Sequence, residues 1–227
     1  AAEFRSAKRW PAMLALRARY LEAPVADAFD AAVSPVALEA PDGATIRSDD
    51  PAAASWLSGR LDRDAFLAPR APASRRAHYR LARGFRDPRE IAADIDLLAD
   101  ETFPDFGETE DALLAQLKTH ATPPGSYVDA YPLQLLSTNS LEALAAASGL
   151  DTSVARFRPN LLVAVEDTDG YPELGWIGRR LTVGEAVFMV RSPTTRCSMP
   201  MRAQPLFGLA PEPGLTRALV ERCQRAF

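Results

Sequence analysis

The sequence predicts a mainly β chain with added helices, an α+β arrangement best met by a β-barrel or sandwich carrying helical additions. Three observations predict it. Apolar runs are short and separated by turn chemistry, one of them (Glu185 to Arg191) alternates residue by residue, and only a few stretches hold a helical period. At 227 residues with 47% hydrophobic content, the chain can bury a full core as one large domain or two smaller halves. Composition divides it into a β-rich region over residues 1–70, a charged helical and loop insertion over 71–124, and a core domain over 125–227.

The first region reads as short strands and tight turns. Met13 to Tyr20 and Val36 to Ala40 are strand candidates, although the first also passes as a helical turn. Pro41-Asp42-Gly43-Ala44 between apolar runs predicts a hairpin. A helix then starts at Asp49-Asp50-Pro51, with Asp50 as its cap, Pro51 at its first position, and Ala54, Trp56, Leu57 and Leu61 on its apolar side.

Residues 71–125 change character. Arg75, Arg76, Arg80, Arg83, Arg86 and Arg89 form a basic run, followed by the acidic stretch from Asp94 to Glu110. A solvated excursion is the plain reading; a lid or partner surface whose arginines reach an anion is the sharper one. Asp111 to His120 predicts a short helix with Leu113, Leu114 and Leu117 on one face and His120 at its end.

Ala121 to Gly125 is a rigid linker, and Tyr127 to Leu136 runs into a strand. The helix that follows, Leu141 to Ala147, is introduced by Ser137-Thr138-Asn139-Ser140 and closed by Gly149, with Asn139 and Glu142 placed as a capping box. A helix start rich in hydroxyls suits either a phosphate or its own cap. Asp151 to Arg158 leads back to the sheet, and Arg156 and Arg158, two apart at a strand start, share a face that suits an anion. Asp167 to Gly170 is a turn, and Leu215 to Arg225 is a helix that places Cys223 on an apolar stripe.

The chemistry concentrates in Pro193-Thr194-Thr195-Arg196-Cys197-Ser198-Met199-Pro200. Ala186, Phe188 and Val190 lie on one side of the preceding strand, and Pro193 ends its ladder. Cys197 thus sits at a strand end between two stiff prolines. Arg191, Arg196 and Arg202 surround it in sequence, and positive charge favours the thiolate, the form that attacks and binds metals. A buried structural cysteine is the competing reading.

The totals exclude some classes. The net charge of −4 gives no nucleic-acid footprint. Lysine occurs only at positions 8 and 118, so arginine is the general cation of this chain and each one is weaker evidence for an anion site. Two cysteines and two histidines give no structural zinc spacing. Nothing points to an oxidising compartment for a Cys197–Cys223 disulfide. No apolar run spans a membrane, no signal peptide is seen, and a soluble cytoplasmic protein is expected. No repeat, glycine-rich nucleotide fingerprint or nucleophile elbow is present.

Taken together, Arg156-Phe157-Arg158-Pro159-Asn160, Trp176-Ile177-Gly178, the Leu181 to Val190 strand with Gly184, and Thr195-Arg196-Cys197 resemble the MOSC domain in order and spacing. That β-barrel module occurs at the C-terminus of molybdenum cofactor sulfurases and in the mitochondrial amidoxime reducing component. The similarity is strongest over residues 125–205. Upstream, Ser6-Ala7-Lys8-Arg9 resembles the family's Thr-Ala-Arg segment. The resemblance implies a molybdenum cofactor, Mo-molybdopterin, with Cys197 as metal ligand and catalytic centre. It further implies that Lys8, Asp129, Arg158, Thr195 and Arg196 bind the cofactor. Two departures stand out. Ala130 replaces a threonine of the amidoxime reductases, and the family's Tyr-Pro-Val-Lys-Ser segment is expected before Ala1, where the sequence starts without a methionine.

Three functions follow. An oxidoreductase would reduce N-hydroxylated or N-oxide small molecules; lacking a ferredoxin cysteine set or flavin fingerprint, it needs a separate electron-donor protein carrying flavin, haem or iron–sulfur. A sulfur carrier or cofactor-delivery protein would use Cys197 as a persulfide or transient ligand. A non-catalytic MOSC-like module would leave Cys197 structural.

Overall fold

The computed structural model describes residues 4, 7, 10–23, 34–80, 89, 111–128, 130–194 and 196–223. The architecture is mixed α/β. Among the described residues the strands form three small sheets, of three, two and two strands, and no closed barrel is found among them. The mainly β expectation is corrected on this point, because helices carry much of the buried apolar surface.

Contacts divide the chain into two compact units, Ala1–Gly84 with Thr119–Asp129 and Ala203–Ala210, and Phe85–Lys118 with Ala130–Arg202 and Pro211–Phe227. In the first unit the stretch from Met13 to Tyr20 divides. Pro11–Ala15 is a 3₁₀ turn, and β1 (Arg17–Tyr20) follows. β1 pairs antiparallel with β2 (Val36–Glu39), and β2 with β3 (Thr45–Arg47), so Leu38 stands opposite both Ala18 and Ile46. The expected hairpin is present. Its turn needs Gly43 at φ +80°, and Asp42 Oδ1 accepts the Ala44 N–H at 3.0 Å.

α1 (Ala53–Leu61) begins later than expected. Asp50 acts one step earlier, its Oδ1 accepting the Ala52 N–H at 2.7 Å, so Ala53, Leu57 and Leu61 face inward and Ala54 outward. Leu38, Leu57 and Leu61 are the buried centre of this unit, with Trp10, Met13, Ile46 and Trp56 packed against them. Each buried leucine is worth about 1.5–3 kcal/mol.

The second unit holds the core that positions the site. α2 (Asp111–Leu117) lies where expected; His120 lies beyond it, buried, in an isolated bridge with Arg80. β4 (Leu135–Ser137) pairs in parallel with β5 (Leu161–Val163), Leu135 opposite Leu161. Parallel pairing requires a crossover, supplied by α3 (Thr138–Ser148) and the single turn α4 (Val154–Phe157). Leu141 and Leu144 of α3, Phe157 of α4, and Leu215, Ala218 and Leu219 of α5 (Leu215–Cys223) join Leu136 in one core.

The cap of α3 differs from the expected box. Ser137 accepts the Ser140 N–H at 3.0 Å, while Asn139 ties down another loop through Val165 and Thr168. Ser137 also donates to Glu173 Oε2 at 2.6 Å, and its N–H reaches Glu173 Oε1 at 3.2 Å. A carboxylate therefore occupies this helix start, and the phosphate reading of its hydroxyls is set aside. Gly149 closes the helix at φ +71°, as expected.

β6 (Arg180–Val183) and β7 (Ala186–Met189) form a hairpin over Gly184-Glu185, with Gly184 at φ +59°. Its alternation follows the expectation at Phe188 and Val190, which are half-buried, and at Val187 and Met189, which are exposed; Ala186 is exposed too.

Candidate functional site

The site grows out of the end of α4. A single helical turn forms at Val154–Phe157, so Arg156 and Arg158 do not share a strand face as the spacing implied. Arg158 is the left-handed residue that ends the turn, φ +54°, with an exposed side chain. Arg156 turns inward and is only 2% exposed.

The partners of Arg156 explain its burial. Asp151 Oδ2 accepts from its Nε at 3.1 Å and its Nη2 at 2.7 Å, and Nη1 donates to the carbonyls of Pro200 and Arg202 at 3.3 and 3.4 Å. Asp151 is itself held, since its Oδ1 accepts from the N–H and hydroxyl of Ser153. The Ser153 hydroxyl, with Arg156, keeps the Asp151 carboxyl below the usual carboxylate range, against the opposing effect of burial. Arg156 is thus a buried strut that fixes the segment after Cys197, with no free edge for a ligand.

Asn160, the last residue of the same motif, fixes the start of β4. Its Oδ1 accepts the Gln134 N–H at 2.9 Å and its own N–H donates to the Gln134 carbonyl at 2.9 Å, so the backbone of Gln134 is clamped in both directions.

Arg196 enters against this frame. Its Nη1 donates to Gln134 Oε1 at 3.1 Å and to the Phe157 carbonyl at 3.2 Å, and its guanidinium carbon lies 5.4 Å from the centre of the Phe157 ring. Nε and Nη2 are buried without a hydrogen-bond partner, and so is Nε2 of Gln134. Burial pulls the Arg196 pKa down to about 10, with the neighbouring Cys197 acting in the opposite sense. The group is still protonated at neutral pH, so a positive charge stands in a dry place with no carboxylate among the described residues paired to it. Buried polar groups are nearly always satisfied, so the two unpartnered nitrogens on one edge of this guanidinium are exceptional.

Cys197 follows directly, a half-buried free thiol. Among the described residues no group of three or more His, Cys, Asp or Glu side chains could hold a metal ion. Of the other expected site residues, Lys8, Asp129 and Thr195 lie outside the described residues, as does most of the run from Arg80 to Glu110.

A family model, MOSC domain, matches residues 120–227. Residues 120–227 are a MOSC domain. The match takes in the Arg156 to Asn160 motif, both arginine environments and Cys197, and MOSC domains are associated with molybdenum cofactor binding. No curated protein matches the chain. No helix among the described residues is long and apolar enough to cross a membrane.

The residues that sequence reasoning missed are Gln134, Asp151 and Glu173. Asp151 was detectable, being an acid five residues before an arginine on a turn. Gln134 and Glu173 carried no local signal, because what gives each its role is far away in the chain.

Proposed function

We propose that this MOSC protein binds a molybdenum cofactor and works as an oxidoreductase that removes oxygen from N-hydroxylated or N-oxide small molecules. The observation that carries the reading is the pairing of a free thiol, Cys197, with the unneutralised guanidinium of Arg196. The donor set fits the group. Cys197 Sγ would supply the one soft ligand that a molybdenum already held by a dithiolene needs from protein, and the unpaired Nε–Nη2 edge of Arg196 would donate to an anionic group of the cofactor. When bound, the cofactor supplies two-electron oxygen-atom transfer. The chain's own residues hold it: Arg156 fixes the Pro200 to Arg202 segment behind Cys197, and Phe157 stacks on Arg196. Lys8, Asp129, Arg158 and Thr195 are the further cofactor contacts that the family resemblance supports. With only two cysteines in the sequence, the electrons come from a separate donor protein carrying flavin, haem or iron–sulfur.

Elemental analysis tests this. Protein made in a host that synthesises the cofactor is expected to hold about one molybdenum per chain, and the Cys197→Ala variant almost none. A variant that keeps its molybdenum overturns the ligand assignment. Retained metal without turnover from a supplied electron donor shifts the reading to sulfur carriage or cofactor delivery, which the same thiol could serve.

A further inference from the structure

Among the described residues the hydrogen-bond partners of the Arg196 guanidinium are neutral: an amide oxygen and a backbone carbonyl. The residue that settles this is Gln134. Its side chain is half-buried, its backbone is clamped by Asn160, and its Oε1 takes the one N–H arm that would otherwise compete for a ligand. A carboxylate of the same shape at this place would pair with the guanidinium and quench it, as Asp151 does for Arg156. An amide orients the cation and leaves its charge intact.

We propose that Gln134 is a positioning residue that holds Arg196 with its Nε–Nη2 edge unpaired, and that this edge grips an oxyanion group side-on. Gln134 Nε2, buried and unpartnered, is available as a further donor to the same ligand. The inference rests on the reading above that an anionic ligand sits beside Cys197, and it narrows that ligand's recognition to a two-point, side-on contact with an oxyanion. The oxyanion belongs either to the cofactor or to the substrate, and the two are separable by experiment.

The test is calorimetric titration of inorganic phosphate and of molybdate into the full chain made without cofactor. Wild type binds; Gln134→Leu, which loses both the acceptor and the amide donor, binds about tenfold more weakly or worse. Gln134→Glu, nearly identical in shape, loses binding and melts at a higher temperature than wild type in anion-free buffer, because the new carboxylate neutralises the buried cation. A merely structural glutamine would not give that opposite pair of changes. Wild type that binds neither anion, or Gln134→Glu that binds as wild type does, overturns the proposal. Repeating the phosphate titration on cofactor-loaded chain assigns the source: lost binding means that the cofactor fills the edge, and retained binding means that the edge faces substrate. A chain that binds phosphate through Arg196 but holds no molybdenum overturns the cofactor reading alone.

Discussion

Two arginines of the second unit meet opposite fates. Arg156 and Arg196 both place guanidinium nitrogens out of water; Arg156 precedes Phe157 in the chain, and Arg196 donates to the Phe157 carbonyl. Arg156 has a carboxylate and two carbonyls and is complete. Arg196 has an amide and a carbonyl and keeps two nitrogens, Nε and Nη2, without a partner. A complete cation is a part of the fold, and an incomplete one is an address for something else. Motif reading alone treated Arg156 and Arg158 as the anion-binding pair and Arg196 as one of several contacts; burial and partners reorder them.

The comparison is broken most forcefully at Asp151. Asp151→Ala leaves the Arg156 guanidinium buried without its carboxylate, and the cost is about 3 kcal/mol, the low end for a broken buried pair because Asp151 itself is 37% exposed. Urea unfolding measures it. Loss of less than about 0.5 kcal/mol would place Arg156 among surface ion pairs and remove its role as the strut behind Cys197.

The opposite sign is expected at Arg196. Arg196→Met removes a buried charge that has no ion partner and keeps an unbranched chain against Phe157. Cofactor-free protein should be unchanged or about 1 kcal/mol more stable, while oxyanion binding disappears. A strong loss of stability would mean that Arg196, like Arg156, serves the fold.

Much of the frame could be read from the chain because its signals are local. The Pro41 to Ala44 turn, the Gly149 cap and the alternation at Phe188 and Val190 each depend on a few adjacent residues. What could not be read depends on distance or on fine choice. Four residues of α4 are too few to show a helical period, so Arg156 and Arg158 looked like strand neighbours. Ser137 and Asn139 are both good caps, and the choice between them rests on Glu173 and on the Val165 to Thr168 loop, which compete for them from far along the chain. Gln134 carries no charge and no motif; its meaning comes wholly from the arginine 62 positions away that it orients. Barrel closure, expected from the number of short strands, depends on pairings that the described strands do not make.

The finest contrast between the two arginines is their response to pH. Asp151 titrates below its ordinary 3.8 in the folded chain, so its interactions with Ser153 and Arg156 contribute stability that is fully present above that value. That contribution is lost as pH falls through the depressed value. Arg196 runs the other way. Its folded value of about 10 lies below the ordinary guanidinium range, so burying its charge costs stability at every pH below 10, and the cost fades only as pH rises beyond about 10. Urea midpoints of wild type and Asp151→Asn, followed from neutral pH downward, should therefore converge below about pH 3.8. A gap that stays constant through that range would show that the carboxylate of Asp151 is not what completes Arg156.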